Sequence, residues 1–215
     1  MLLSDAIFLI SLFIVIALFG CLIYFYKSMQ KDTVSLPLDM APSLVRDYSV
    51  SFGENRKNII VVEFLDPECE SCALFHPMVK KVFKEYHTDI KLVIKYLPNH
   101  KNSKFATKIL EASREQHKYN EVLSMIFEKQ PLWAAHNNEK PELLWTFLAQ
   151  IEGLDVDKLK EDMNNPKIEQ IIDTDTKDAK IMSVRGTPTI FVNDKRLEVL
   201  SQKDLFDLIE AEIYK

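Results

Sequence analysis

Two cysteines separated by two residues, Cys69 and Cys72, are the side chains of this sequence best suited to chemistry. The thiolate of cysteine is a nucleophile, and two thiols one helical turn apart can be joined in a disulfide. The same spacing begins many zinc sites, but a closed zinc site needs two more ligands and the sequence has no second cysteine pair. We therefore predict a redox-active pair and no metal site.

The residues on either side predict that the pair lies where a buried strand gives way to a helix. The uninterrupted apolar run at 59–62 is typical of a central strand. After the pair, apolar residues from Leu74 to Tyr86 recur on one helical stripe. Cys69 would then lie at a helix N-terminus, where unpaired backbone N–H groups stabilise an anion such as a thiolate.

The rest of the domain is predicted to contain both helices and strands. Helical stripes fill residues 103–183, a stretch far longer than an ordinary connection between two strands. Strand, helix and strand before it form a βαβ unit, which requires parallel pairing. In chain order we predict a short edge strand at 49–52, a strand at 58–65, a helix at 70–87, a strand at 90–97, the helical stretch, a hairpin at 189–200 and a last helix that begins at Ser201.

This order of elements resembles the thioredoxin fold, and its long helical stretch resembles that of the DsbA family of thiol-disulfide oxidoreductases. The resemblance covers residues 58–215 and implies an α/β thioredoxin-like fold with an all-helical insertion. Four local matches carry it: Glu63 six residues before Cys69, the pair Cys69 and Cys72, the dipeptide Lys95-Tyr96, and the stretch 184–193 that contains Thr187-Pro188.

The resemblance implies a role for each residue that would touch a substrate. Cys69 would be the exposed nucleophile that forms mixed disulfides, and Cys72 would be the buried resolving thiol. Pro188 would be a cis-proline that faces the pair, and the backbone of Thr187 would pair with an extended substrate by strand addition. An ordinary trans turn at Thr187-Pro188 is the alternative.

Two further residues would support proton transfer. Glu63 would be a buried carboxylate beneath the pair that assists proton transfer at Cys72, and Lys95 would pair with Glu63. The alternatives are that Glu63 ends a strand at the surface and that Lys95 is a solvated strand residue. Without a partner, burial would raise the pKa of the Glu63 carboxyl.

Acidic residues near the pair distinguish this sequence from the best-known oxidising members of the family, which carry a histidine between the cysteines. Here the dipeptide is Glu70-Ser71, and Asp66 and Glu68 add negative charge. Negative neighbours disfavour a thiolate. We therefore expect these carboxylates to hold the pKa of Cys69 up and to weaken its oxidising character.

The N-terminal segment is predicted to be an uncleaved membrane anchor. Residues 6–26 carry no charge, and at about 1.5 Å per residue this helix would span a hydrocarbon core of about 30 Å. A cleaved signal peptide and a lipoprotein site at Cys21 fit less well. Lys27 and Lys31 favour a cytoplasmic position for the following domain. Disulfide formation requires an oxidising compartment, so we predict that the domain lies outside the cytoplasmic membrane, in the periplasm.

These predictions divide the 215 residues into five parts. The five parts are an anchor at 1–27, a tether at 28–57, the first half of the thioredoxin fold at 58–102, the helical insertion at 103–183, and the second half of the thioredoxin fold at 184–215.

The predicted reaction is thiol-disulfide exchange with protein substrates, with no cofactor beyond the Cys69–Cys72 disulfide. An unidentified redox partner must reset the pair. Nucleic acid is not an expected partner, because the sequence has 27 basic and 32 acidic residues and a net charge of -5. A reductase or isomerase that uses the same residues, and a non-catalytic binding module tethered at the membrane, are the alternatives.

Overall fold

The structure is a computed structural model that describes residues 18–21 and 44–215. Residues 18–21 are helical and exposed, and the remainder of the predicted anchor at 1–27 lies outside the described residues. Within 18–21 and 44–215, no helix has the length and apolar character needed to cross a membrane.

A five-stranded sheet forms the centre of the domain, in the order β1-β3-β2-β4-β5. The central strands β2 and β3 pair in parallel, which confirms the predicted βαβ unit. The edge strand β1 is antiparallel to β3, and the hairpin of β4 and β5 is antiparallel to β2. The strands are β1 (Val50–Phe52), β2 (Ile59–Leu65), β3 (Ile90–Tyr96), β4 (Thr189–Val192) and β5 (Lys195–Arg196).

Helices cover both faces of this sheet. Side chains on adjacent strand positions point to opposite faces, and apolar residues at both sets of positions require cover on both sides. On β2, Val61 packs with α1 and α8 on one face, and Phe64 packs with the end of α7 on the other. The helices of the described domain are α1 (Glu70–Tyr86), α2 (Ser103–Ala112), α3 (Tyr119–Glu128), α4 (Gln130–Trp133), α5 (Leu143–Leu148), α6 (Val156–Asp162), α7 (Pro166–Ile181) and α8 (Gln202–Ile213).

Residues 44–57, predicted as the end of a tether, are packed against the domain. Leu44 is buried, and Arg46 forms an ion pair with Asp178 on α7. Gly53, at φ +98°, turns the chain after β1 so closely that an added Cβ would lie 2.3 Å from the Ile90 carbonyl oxygen. The domain therefore begins before residue 58, because this segment closes one edge and one face of the sheet.

Candidate active site

The two cysteines lie at the start of α1. Cys69 is the N-cap residue and Cys72 lies in the first turn, and both are free thiols. Cys72 is completely buried, whereas Cys69 retains 8% of its accessible surface. The prediction that Cys69 is exposed is therefore wrong in degree: it is the more accessible thiol, but most of it is covered.

The segment that covers Cys69 comes from the start of β4. Because β4 runs antiparallel to β2 and Thr189 lies opposite Phe64, the residues before β4 reach the end of β2 where the cysteines begin. The peptide bond between Thr187 and Pro188 is cis. The Thr187 carbonyl oxygen lies 3.3 Å from the Cys69 sulfur and accepts a hydrogen bond from the thiol when Cys69 is protonated.

The surroundings of Cys69 favour its thiolate. A hydrogen bond from the Cys72 thiol is the largest effect, and the Thr187 hydroxyl and the backbone N–H groups of Ser71 and Cys72 add to it. Together they outweigh partial burial and lower the pKa of Cys69 to about 5. At neutral pH Cys69 is therefore a thiolate when the pair is reduced.

Cys72 has the opposite electrostatic surroundings. Burial raises the pKa of its thiol, and the hydrogen bond to Cys69 and the nearby Glu63 carboxyl raise it further. The Asp66 N–H points to its sulfur at 3.5 Å. One member of the pair thus holds a negative charge and the other holds a proton.

Glu63 lies in β2 on the face of the sheet that packs against α1. It is 2% exposed, and its Oε1 atom has no hydrogen-bond partner in the described structure. Burial raises the pKa of this carboxyl to about 7. Glu63 therefore titrates near neutral pH, and it lies close to the Cys72 thiol.

Lys95 lies on the opposite face of the sheet, so the predicted Glu63–Lys95 pair is wrong. Lys95 is opposite Phe64 in the register of β2 and β3, and its ammonium contacts Asp175 at 2.9 Å and Asp178 at 2.6 Å. Both aspartates belong to α7. Side chains one position apart on a strand point to opposite faces, which places Lys95 away from Glu63. Its two ion pairs join α7 to the sheet.

The acidic residues near the pair do not have the expected effect on Cys69, because other groups compensate them. Asp66 is fully buried and its carboxylate accepts hydrogen bonds from the N–H groups of Glu68 and Asn99 and from the Ser103 hydroxyl. Glu68 accepts hydrogen bonds from the backbone and the side chain of Asn102. These carboxylates accept hydrogen bonds from residues just before and at the start of α2, where backbone N–H groups have no partner within the helix.

Glu70, between the two cysteines, is directed to the surface. Its carboxylate lies 2.6 Å from His136 Nε2, and both side chains are more than half exposed. The expectation that Glu70 and its neighbours hold the pKa of Cys69 up is wrong, because donors within 69–72 and at Thr187 dominate.

The structure adds two residues to the site that the sequence analysis did not select. Gln130, from α4 of the insertion, donates a hydrogen bond to the Pro67 carbonyl oxygen at 3.0 Å and so holds the loop before Cys69. His100 follows β3, and its Nδ1 atom lies 2.8 Å from the Asp66 carboxylate. A signal for His100 was present, since the carboxyl ends of the parallel strands β2 and β3 meet at the same edge of the sheet.

His100 supplies positive charge near Cys69. Burial alone would lower its pKa, but the hydrogen bond and the charge of Asp66, together with the negative charges of Cys69 and Glu68, raise it. The raised pKa favours the imidazolium form, whose positive charge lies near the Cys69 thiolate. This chain thus places a histidine near the thiolate from the loop after β3 instead of from the dipeptide between the cysteines.

Replacement of His100 by glutamine should raise the pKa of Cys69 by roughly half a unit, because a partly exposed positive charge is lost. Ultraviolet absorbance of the thiolate, followed as a function of pH, measures this value. Glu70→Gln is the matched control and should change it less. An unchanged pKa in the His100 variant, or a larger change in the control, would contradict the role of His100.

A thioredoxin-like sheet with a Cys-x-x-Cys pair at the first helix and a cis-proline opposite defines a class of redox proteins, and the comparisons agree with it. A sequence profile described as thioredoxin matches residues 46–211. The chain therefore belongs to the thioredoxin family.

Solved structures share this fold. BdbD from Bacillus subtilis, in its oxidised form, superposes with a TM-score of 0.69 at 24% identity and covers 78% of this chain and 94% of its own. A double cysteine-to-alanine variant of alpha-DsbA1 from Wolbachia pipientis gives a TM-score of 0.67 at 19% identity, over 81% of this chain and 98% of its own. The thioredoxin-like fold of the DsbA type, predicted from the sequence, is confirmed.

Curated relatives match part of their length. A Rickettsia conorii protein that carries the name of a protein-disulfide oxidoreductase is 29% identical over 69% of this chain and 54% of its own. A Na(+)/H(+) antiporter NhaA of Herminiimonas arsenicoxydans is 26% identical over 84% of this chain and 28% of its own. The chain spans about half the length or less of these relatives.

Proposed function

We propose that this chain is a thiol-disulfide oxidoreductase that oxidises thiol pairs of protein substrates through Cys69 and Cys72. The observation that carries the proposal is the asymmetry of the two thiols. One is the less buried sulfur, a thiolate at a helix N-terminus, and the other is a fully buried thiol next to a carboxyl group. The names of the Rickettsia relatives agree with this activity.

The reaction begins with the pair in its disulfide form. A substrate thiolate attacks the Cys69 sulfur, the Cys69–Cys72 bond breaks, and Cys72 leaves with the electron pair and takes a proton. A second substrate thiolate then attacks the substrate sulfur of the mixed disulfide, and Cys69 leaves as a thiolate. The substrate gains a disulfide and loses two electrons, and the pair gains them.

Glu63 acts on the proton of Cys72 in this scheme. The raised pKa of Cys72 requires that the departing sulfur is protonated, and Glu63 is close enough to raise that pKa by its charge. A carboxyl group with a pKa of about 7 can both give and take a proton at neutral pH. The reverse transfer occurs when a redox partner restores the disulfide.

The backbone next to Pro188 is proposed to hold the substrate. The Thr187 carbonyl oxygen lies within hydrogen-bond distance of Cys69, so an extended substrate peptide that pairs there by strand addition would have its own cysteine near the same sulfur. Backbone pairing of this kind suits many substrate sequences.

The expected direction of the reaction is oxidation of the substrate. A stabilised Cys69 thiolate stabilises the dithiol form and makes Cys69 a good leaving group, and both effects favour transfer of the disulfide to the substrate. This reverses the weaker oxidising character that the acidic dipeptide suggested, since those carboxylates are compensated.

Incubation of the oxidised full-length chain with a peptide that contains two thiols should yield the peptide disulfide and the Cys69, Cys72 dithiol in equal amounts. The equilibrium against glutathione should lie well on the side of the dithiol. Mass spectrometry of both products measures the exchange. A pair that stays oxidised in excess reduced glutathione would favour the reductase alternative, and a pair that exchanges with neither thiol would favour a binding module.

We further propose that the catalytic domain lies outside the cytoplasmic membrane and is held there by the predicted anchor at 1–27. A thiol oxidant requires an oxidising compartment, and one curated relative is named as an antiporter, which is a membrane protein.

Protease added to intact spheroplasts should therefore digest the domain, because it would be accessible from outside. Immunodetection of the C-terminal fragment before and after lysis measures this accessibility. A cytoplasmic protein serves as the control for intact membranes. Protection of the domain until lysis would place it in the cytoplasm.

A further inference from the structure

A groove of about 650 Å³ opens on the face of the domain between α1, α3 and the edge of the sheet. This volume is within the range of about 300–1,000 Å³ that is usual for small-molecule sites. Its walls are apolar and come from β1, α1, β3 and α3: Phe52, Val79, Phe83, Leu92, Ile94 and Leu123.

Two polar side chains that line the groove have a buried atom without a partner. Glu63 Oε1 and His76 Nε2 form no hydrogen bond within the described part of the chain. Buried polar atoms in native proteins are nearly always paired, so orphans that face a cavity show that the groove is open to solvent or to a ligand at this point. Glu63 is 2% exposed and belongs to the floor of this groove.

The ionisation states of these two side chains leave neither of them with a full charge at neutral pH. Burial, together with Lys80, lowers the pKa of His76 to about 4, so its imidazole is neutral at physiological pH. Burial raises the pKa of Glu63 to about 7, so its neutral form is populated. Neither group requires a full countercharge from the ligand.

The rim of the groove carries positive charge. Lys80, Lys81 and Lys84 all line it from α1 and all are exposed. The Lys80 ammonium donates a hydrogen bond to the Ser124 hydroxyl across the groove, at 3.2 Å. A ligand whose apolar body fills the groove would therefore present its outer end to ammonium groups.

We propose that this groove binds a small amphiphilic anion, with its apolar body against the walls and above Glu63 and its acidic head at Lys81 and Lys84. Charge complementarity at the rim and apolar walls select this chemistry. The site is separate from the proposed substrate strand at Thr187, which approaches Cys69 from the β4 side. The proposal concerns binding and does not depend on the redox activity of the pair.

Naphthalene-1-sulfonate and naphthalene-1-sulfonamide are matched probes, because they share one apolar body and differ in charge. Isothermal titration of the full-length chain in an uncharged detergent, with detergent alone as the blank, should show saturable binding of the sulfonate at one site. The sulfonamide should bind more weakly. The double variant Lys81→Met/Lys84→Met keeps the apolar stems. It should weaken the sulfonate about fivefold, to the level of the sulfonamide, because exposed ion pairs contribute little.

Two further variants locate the site. Ser124→Phe places a ring in the groove and should abolish binding of both probes, and Lys180→Met, which removes an exposed charge on α7, should change neither. Circular dichroism checks the fold of each variant, and the lysine variants decide the question if Ser124→Phe does not fold. Absence of saturable binding, equal affinity for both probes, or binding that survives in folded Ser124→Phe would overturn the proposal.

Discussion

When the reduced variants are incubated with a disulfide-containing substrate, replacement of Cys72 by serine should make mixed disulfides accumulate, whereas replacement of Cys69 should yield none. The Cys69 thiolate, the more accessible of the two sulfurs, attacks the substrate disulfide and displaces one substrate thiolate. The buried thiol at position 72 is needed to resolve the mixed disulfide. Either variant should reduce the rate of peptide oxidation to background, because the disulfide cannot form with one sulfur.

Non-reducing electrophoresis after alkylation measures these complexes, and reduction should dissolve them. The variant Cys21→Ser is the matched control, because it removes the remaining cysteine of the chain, and it should leave the complexes of Cys72→Ser unchanged. Equal trapping by the Cys69 and Cys72 variants would show that the difference in exposure and ionisation does not decide which sulfur attacks.

Replacement of Glu63 by glutamine should make the protein more stable and less active. The carboxyl has a pKa of about 7 in the folded chain against an ordinary value of 4.5, so the folded state binds its proton more tightly than the unfolded state does. Folding stability is therefore lost as the pH rises from about 4.5 through 7. Above that range the loss is about 3 kcal/mol, and a neutral amide of similar shape avoids it.

The same substitution should slow the exchange reaction at least about tenfold at neutral pH, since general acid–base catalysis contributes about 10²–10⁴ and water can replace part of it. The slow step should be the reduction of the Cys69–Cys72 disulfide by a thiol, where Cys72 must gain a proton. A structural role alone would change stability and leave this rate unaltered.

Urea unfolding of the dithiol form at pH 5.5 and 8.5 measures the stability, and the advantage of Glu63→Gln should grow by about 2 kcal/mol between them. The rate of disulfide reduction at pH 7 measures the activity. Glu70→Gln, an exposed neighbour, is the control and should change neither quantity appreciably. A variant that is less stable than the parent at pH 8.5 would contradict the burial of an unpaired carboxyl group.

The effects of Glu63→Gln on stability and on activity share a physical cause. A buried carboxyl with an unpartnered oxygen lowers the stability of the fold at neutral pH, but the same burial gives it a pKa close to 7. Unusual pKa values and unsatisfied polar atoms are concentrated at functional sites. In this chain Glu63 combines both features at the point where Cys72 exchanges its proton.

Local patterns in the sequence were sufficient to predict the secondary structure that builds the site. The apolar run before the pair forms β2, a strand that is buried on both faces and therefore has a continuous run of apolar residues. The stripe after it forms α1, a helix that buries one side and therefore repeats its apolar residues every three or four positions. The cysteine spacing and the Thr187-Pro188 dipeptide, read with the resemblance, indicated a cysteine pair at the start of a helix and a cis-proline, and the structure contains both.

Only the tertiary structure decided which side chains meet. Glu63 and Lys95 differ by one position in the register of β2 and β3, and that offset places them on opposite faces of the sheet. His100 reaches Asp66 because two strand ends meet at one edge, although the two residues are 34 positions apart. The predicted strand order brings the two strand ends together, but only the structure gives the register that separates Glu63 from Lys95 and the direction of the His100 side chain. These arrangements add positive charge near Cys69 and leave Oε1 of Glu63 without a partner.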